Sequence, residues 1–238
     1  NYAGTKNSKL TTLILCEGDS AKAGILSGLA TKDRNVIGVY PLKGKLLNVR
    51  GETLKSINDN KEITEIKKIM GLTSNQVYTN TDTLRYGKIL FMTDQDLDGS
   101  HIKGLCINMF DCLWPSLLQL DGFLGFMNTP ILKATRNKTT TAFYNENDYE
   151  QWKSEHNNGD GWKIKYYKGL GTSTGAEFKE YFTNKKIMNL CVVDNDRENL
   201  DMVFNKAKEK ATLRKSWLGK YDRTDPLNLS KVEVTLSN

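Results

Sequence analysis

The chain has 238 residues, 38% hydrophobic and 26% charged, with a formal net charge of +6; this is long and apolar enough to bury a core, and its charge suits a polyanionic partner. No apolar stretch approaches the ~20 residues of a membrane span, and the first residues lack the basic start and apolar centre of a secretory signal. Four cysteines without CxxC spacing and only two histidines argue against zinc and for buried thiols in a reducing, intracellular setting.

In chain order, residues 10–16 read as a strand and 20–30 as a helix, with Asp19 or Ser20 as its N-cap. Residues 35–40 read as a second strand, expected to stop at Pro41, which has no N–H to give a ladder. A basic loop follows over 44–51. Ile63, Ile66, Ile69 and Met70 recur at helical spacing and predict a helix over 59–70, closed by Gly71. Residues 88–93 give a third strand signal. A helix then follows from Ser100 to Leu113, with Ile102, Leu105, Cys106, Met109, Phe110 and Leu113 inward, and Pro115 opens a further turn.

The next segment, 123–133, reads as a strand pair, and 136–141 as an exposed turn. Short strands are expected at 142–144 and 163–167, with a helix over 148–155 between them and a surface loop at 156–161. One last helix is predicted over 199–218, with Leu200, Phe204, Ala207, Ala211 and Leu218 near one face and lysines opposite. A polar tail follows. The strand–helix alternation of the first half places the chain in the α/β class, as a doubly wound parallel sheet.

Two of the strand signals run directly into acidic clusters. Leu13-Ile14-Leu15-Cys16 leads to Glu17-Gly18-Asp19, and Ile89-Leu90-Phe91-Met92-Thr93 leads to Asp94-Gln95-Asp96-Leu97-Asp98. In open parallel sheets ligands gather at the carboxyl ends of the strands, which would bring Glu17 near Asp94, Asp96 and Asp98. Carboxylates so crowded repel one another unless a cation neutralises them, and a hard-oxygen set with few histidines points to Mg2+. The second cluster is not an EF-hand: its twelfth position is Leu105 and a strand precedes it. The segment Lys168-Gly169-Leu170-Gly171-Thr172 is not a Walker A loop, since no GK[ST] closes it; it could bind an anion or cap a helix. Pro41-Leu42-Lys43-Gly44-Lys45 combines a fixed start, a glycine and two lysines, a set able to contact phosphates or simply to lie solvated.

The strings EGDSA (17–21), PLKGKLLNVR (41–50), DQDLDGSHI (94–102) and YYKGLGTST (166–174) resemble, in order, the hallmarks of type IIA DNA topoisomerases, and the eukaryotic kind more than bacterial gyrase. The resemblance starts at Ala3 and runs to the Trp217 region. It implies a Rossmann-like TOPRIM domain over 10–127 and a mixed α+β extension over 128–238 leading toward a winged-helix domain. It further implies that Glu17 and Asp94 hold a catalytic Mg2+, for which Mn2+ or Ca2+ could substitute. Asp94 and Asp96 would hold a second ion, and Asp98 would support it. Glu17 would also serve as general acid and base at the 3′ oxygen of the broken strand. Lys43, Lys45, His101 and Lys168 would face double-stranded DNA, although the family usually has arginine at position 43 and lysine lacks its planar fork.

The same resemblance places the tyrosine nucleophile and the ATP-binding module outside this chain, whose first residue is Asn1 rather than Met. The expected whole is a homodimeric, ATP-driven enzyme that passes one duplex through another, working in the nucleus or at a viral replication site. Two rival readings stay open: a self-contained nuclease or primase-like nucleotidyl transferase, and a non-catalytic DNA-binding fragment whose acids merely cap helices.

Overall fold

Parallel pairing of the strands that precede the two acidic clusters organises the first half. β1 (Thr12–Glu17) lies between β2 (Ile37–Leu42) and β3 (Lys88–Met92), parallel to both, in a register that sets Cys16 beside Met92. β4 (Leu124–Met127) pairs parallel with β3, β8 (Ile187–Leu190) runs antiparallel to β4, and β9 (Glu233–Val234) closes the series. The sheet order is therefore β2-β1-β3-β4-β8-β9. These are the features of a computed structural model that describes residues 1–193, 195–220 and 233–235. The polar tail expected beyond Gly219 falls largely outside the described residues.

Alternation along the strands builds two cores. Leu13, Leu15, Ile89 and Phe91 face α3 (Lys61–Met70) and α4 (Leu97–Leu113), while Ile14, Cys16, Leu90 and Met92 face α1 (Gly18–Gly28) and α6 (Gly175–Thr183). Both faces being covered explains why these strands read as unbroken apolar runs. A smaller antiparallel sheet, β6 (Thr139–Phe143), β5 (Leu132–Arg136) and β7 (Lys163–Tyr166), packs Leu132, Ala134 and Phe143 against Tyr149 of α5 (Glu146–Glu155).

Helix α1 meets α6 through two glycines. A Cβ on Gly24 would lie 2.3 Å from the Phe178 ring, and one on Gly28 would lie 2.6 Å from the Phe178 backbone carbon. The second half thus covers the first half's sheet. In the first turn of α6, Glu177 gathers the Lys165 ammonium at 2.8 Å, the Tyr167 hydroxyl at 2.5 Å and the Thr174 N–H at 2.7 Å, forming a capping box with Thr174. Burial works to raise its carboxyl, but these donors hold it down at about 2.

Several expectations need correction. α1 starts at Gly18 with Glu17 as N-cap, so neither Asp19 nor Ser20 caps it; Gly18 sits at φ +78°, a conformation that favours glycine at this strand-to-helix junction. Strand β2 continues through Pro41 to Leu42, tolerated because β2 is an edge strand. An additional helix, α2 (Leu54–Asp59), precedes α3, and Asn60 accepts the Ile63 N–H to start the latter. Helix α4 begins at Leu97, inside the acidic motif, because Asp96 accepts the Gly99 N–H. β4 and β5 are not a pair; they belong to different sheets. The last helix is two, α7 (Asp196–Phe204) and α8 (Lys208–Leu218), because Asn205 turns its amide to the Ala207 N–H and the Asp201 carboxylate, competing with the helical ladder.

Two outcomes follow from this packing. Gly28→Ala should destabilise the fold by about 1–3 kcal/mol through overpacking against backbone, visible as a lowered midpoint in urea; an unchanged midpoint would mean that α1 and α6 do not pack this closely. Glu177 ionises well below its ordinary 4.5 when folded, so its contribution is fully present above that ordinary value and lost as pH falls from there towards 2. The stability gap between the native chain and Glu177→Gln should therefore shrink between pH 6 and pH 3, measured by urea unfolding; a constant gap would refute this.

Candidate metal centre

The ends of β1 and β3 deliver two carboxylates to one place. Glu17 is the last residue of β1, and Asp94 follows β3 by two residues. Burial raises the Glu17 carboxyl above its ordinary range, the neighbouring Asp94 and Asp96 charges raise it further, and a backbone hydrogen bond from Asp94 works the other way. Its Oε2 is buried and has no hydrogen-bond partner among the described residues. An orphaned carboxylate oxygen facing other carboxylates is costly, and a hard divalent cation is the group that would satisfy it.

The three aspartates are each engaged differently. Asp94 Oδ1 accepts the Leu170 N–H at 2.7 Å, which ties the 168–174 turn to the acidic loop. Gly169 permits that approach, since a Cβ there would stand 2.2 Å from Asp94 Oδ2. Asp96 caps α4, and Asp98 Oδ1 lies 2.7 Å from the Lys45 ammonium, whose hydrogen bond lowers the Asp98 carboxyl. Among the described residues, no three His, Cys, Asp or Glu side chains converge closely enough, as oriented here, to enclose a metal ion. The donor chemistry suits Mg2+, with Glu17 and Asp94 best placed; Asp96 and Asp98 would first have to turn from their present partners.

The basic residues surround the cluster unevenly. Lys45 pairs with Asp98 at its exposed margin, while Lys43 is exposed and its N–H is held by Glu62 Oε1 at 2.6 Å. Lys168 is exposed on the turn whose next two residues touch Asp94. His101 is exposed and lines a cavity of about 430 Å³ with Asn48, Leu200 and Phe204, between α4 and α7. The sequence reading missed Gly169 and the Leu170 N–H as partners of Asp94. The two glycines of that turn were the available signal for close approach.

The chain also matches known proteins along its whole length. Residues 12–126 match the Toprim domain, and residues 127–238 match the C-terminal associated domain of TOPRIM. The chain is 50% identical over 242 aligned residues to DNA topoisomerase 2 of Arabidopsis thaliana, covering 99% of this chain and 16% of that protein. It is 46% identical to the Saccharomyces cerevisiae DNA topoisomerase 2, covering 100% of this chain and 17% of that one. It is 53% identical over 186 residues to the enzyme of Acanthamoeba polyphaga mimivirus, covering 76% of this chain and 15% of that protein. A crystal structure of the Plasmodium falciparum topoisomerase II DNA-binding, cleavage and re-ligation domain superposes with a TM-score of 0.93 at 46% identity, covering 99% of this chain and 32% of that one. The chain thus spans about a sixth of the length of these relatives, at 16% and 17% of the first two. On the sequence strings, the strand-end carboxylates and the shared fold together, this chain belongs to the type IIA DNA topoisomerases of the eukaryotic kind, as a Toprim domain and the domain associated with it.

Proposed function

We propose that this chain is the Mg2+-binding part of the cleavage and religation core of an ATP-dependent, homodimeric topoisomerase acting on double-stranded DNA. In this reading the ATP site and the nucleophilic tyrosine belong to other parts of the whole protein. Residues 10–127 are the metal-binding domain, and 128–238 the extension toward a DNA-binding domain. The observation that carries the reading is the buried, unpartnered Glu17 Oε2 beside Asp94. Glu17, Asp94 and Asp96 would hold Mg2+, with Asp98 supporting. When bound, the ion supplies charge stabilisation at the scissile phosphate.

The protein's own groups divide the remaining work. Glu17, whose carboxyl is raised by burial and by its acidic neighbours, is the group placed to pass a proton to the ribose 3′ oxygen on cleavage and to take it back on rejoining. Gly169 and the Leu170 N–H fix the orientation of Asp94. Lys45 and Lys168, with Lys43 and His101 at the margins, offer cationic or hydrogen-bonding groups to the DNA backbone; such contacts set register without reading sequence.

A second reading has one observation in its favour. Asp94 accepts the Leu170 N–H, Asp96 caps a helix and Asp98 is held by Lys45, so three of the four carboxylates have structural employment, as a non-catalytic DNA-binding fragment would require.

A titration with Mn2+, followed by loss of the free-ion resonance signal, separates the two. The metal reading expects binding by the native chain, weakened about 10- to 100-fold in Glu17→Gln and Asp94→Asn; no binding by the native chain would leave the structural reading standing. In the whole enzyme, Glu17→Gln should slow rejoining of cleaved strands by about 10²–10⁴-fold while leaving thermal stability near native. Rejoining at the native rate would remove Glu17 from proton transfer.

A further inference from the structure

The loop that carries Lys43 and Lys45 is held at its far end by residues from both halves of the chain. Arg50, only 17% exposed at its side chain, donates from Nε to Asn108 Oδ1 at 2.8 Å and from Nη2 to Asp111 Oδ2 at 2.6 Å. Its Nη1 stands 3.6 Å from Asp201 Oδ1 of α7. Asn48 adds a second tie, donating to the Phe204 carbonyl at 2.7 Å while accepting from Asn108 at 3.1 Å. Lys206 pairs with Glu52 just beyond. Leu46 and Val49 anchor the middle of the loop in the main core.

Helix α4 backs the whole loop. Its first turn carries Asp98, the partner of Lys45, and its later turns carry Asn108 and Asp111, the partners of Arg50. At 1.5 Å per residue these attachment points lie roughly 15–20 Å apart along the helix. The five steps from Lys45 to Arg50 reach at most about 17 Å. Between these two attachments Leu46 and Val49 are buried in the core, so the loop is held down along its length and release of one end loosens the other.

We propose that Arg50 is a positioning residue for the DNA-contacting loop: with Asn48 it latches that loop to α4 and α7, so that the second half of the chain sets where Lys45 meets a DNA phosphate. The inference rests on the reading of Lys45 as a phosphate contact. It uses the guanidinium as a fork with three separate acceptors in reach, which a lysine at position 50 could satisfy only in part.

Hydrogen exchange over residues 43–52 and salt-dependent binding of the chain to a short linear duplex test it together. Arg50→Gln should raise exchange in that segment about 10- to 100-fold, the loss expected of buried hydrogen bonds to a charged group, while β1 and β3 stay protected. Asp201→Asn, which removes the Arg50 ion pair to α7 (and that of Lys210) at a partly exposed position while leaving Asn48 on the Phe204 carbonyl, gives a milder rise should Arg50→Gln fold poorly; Arg50→Lys falls between native and Gln. Lys45→Ala should lower the slope of log affinity against log salt by about 0.9. Arg50→Gln should lower it by most of that amount, and the double variant by no more than Lys45→Ala alone. Unchanged exchange over 43–52 overturns the latch. A slope reduced by Lys45→Ala but not by Arg50→Gln overturns the positioning role alone. A slope indifferent to Lys45→Ala removes the phosphate contact itself, and the inference falls with it.

Discussion

Electrostatic repulsion among carboxylates is the constraint around which this molecule is arranged. Because β1 and β3 are parallel neighbours, the sequences that follow them must emerge side by side, and both are acidic. Bringing such charges together costs free energy at any distance short of full screening. The fold offsets the cost one carboxylate at a time. Asp94 receives a backbone N–H, Asp96 sits at the positive end of α4, and Asp98 is matched to a lysine. Glu17 is left with a buried oxygen that has no hydrogen-bond partner among the described residues.

The division into two matched segments does not correspond to two separate jobs. β8 extends the first segment's sheet, α6 covers the face beside α1, and the 168–174 turn supplies the donor that orients Asp94. Glu177 stiffens that same turn from below by drawing Lys165, Tyr167 and Thr174 onto one carboxylate. Orientation of the acidic loop is thus secured by residues about 75 positions later in the chain, as the 76-residue separation of Asp94 and Leu170 illustrates.

How much of this is legible in the sequence depends on how far each cause reaches. Strands β1 and β3 are readable because burial on both faces writes a local apolar run, and α3 is readable because Ile63, Ile66 and Met70 repeat at helical spacing. The start of α4 is harder, since Asp94, Asp96 and Asp98 are all competent caps and only the observed hydrogen bond selects Asp96. The break between α7 and α8 contains no proline or glycine, so an unbroken helix is the natural reading until Asn205 is seen to bond locally. β8 has four residues and a partner some sixty positions earlier, too little local signal to announce a strand. The candidate ligands were legible as residue types in their motifs, whereas Gly169 as the neighbour of Asp94 was not, because nothing local says which surface a glycine must let pass.

Pro41 has a consequence beyond its own strand. β2 forms the outer margin of the larger sheet, and a margin of exposed peptide groups is a template on which another chain can add a strand. The ladder to β1 runs past Pro41 without a break, while the open side of β2 is denied a continuous row of donors. The proline therefore acts as a terminator of sheet growth. It leaves the strand nearest the basic loop a poor template for edge-to-edge pairing.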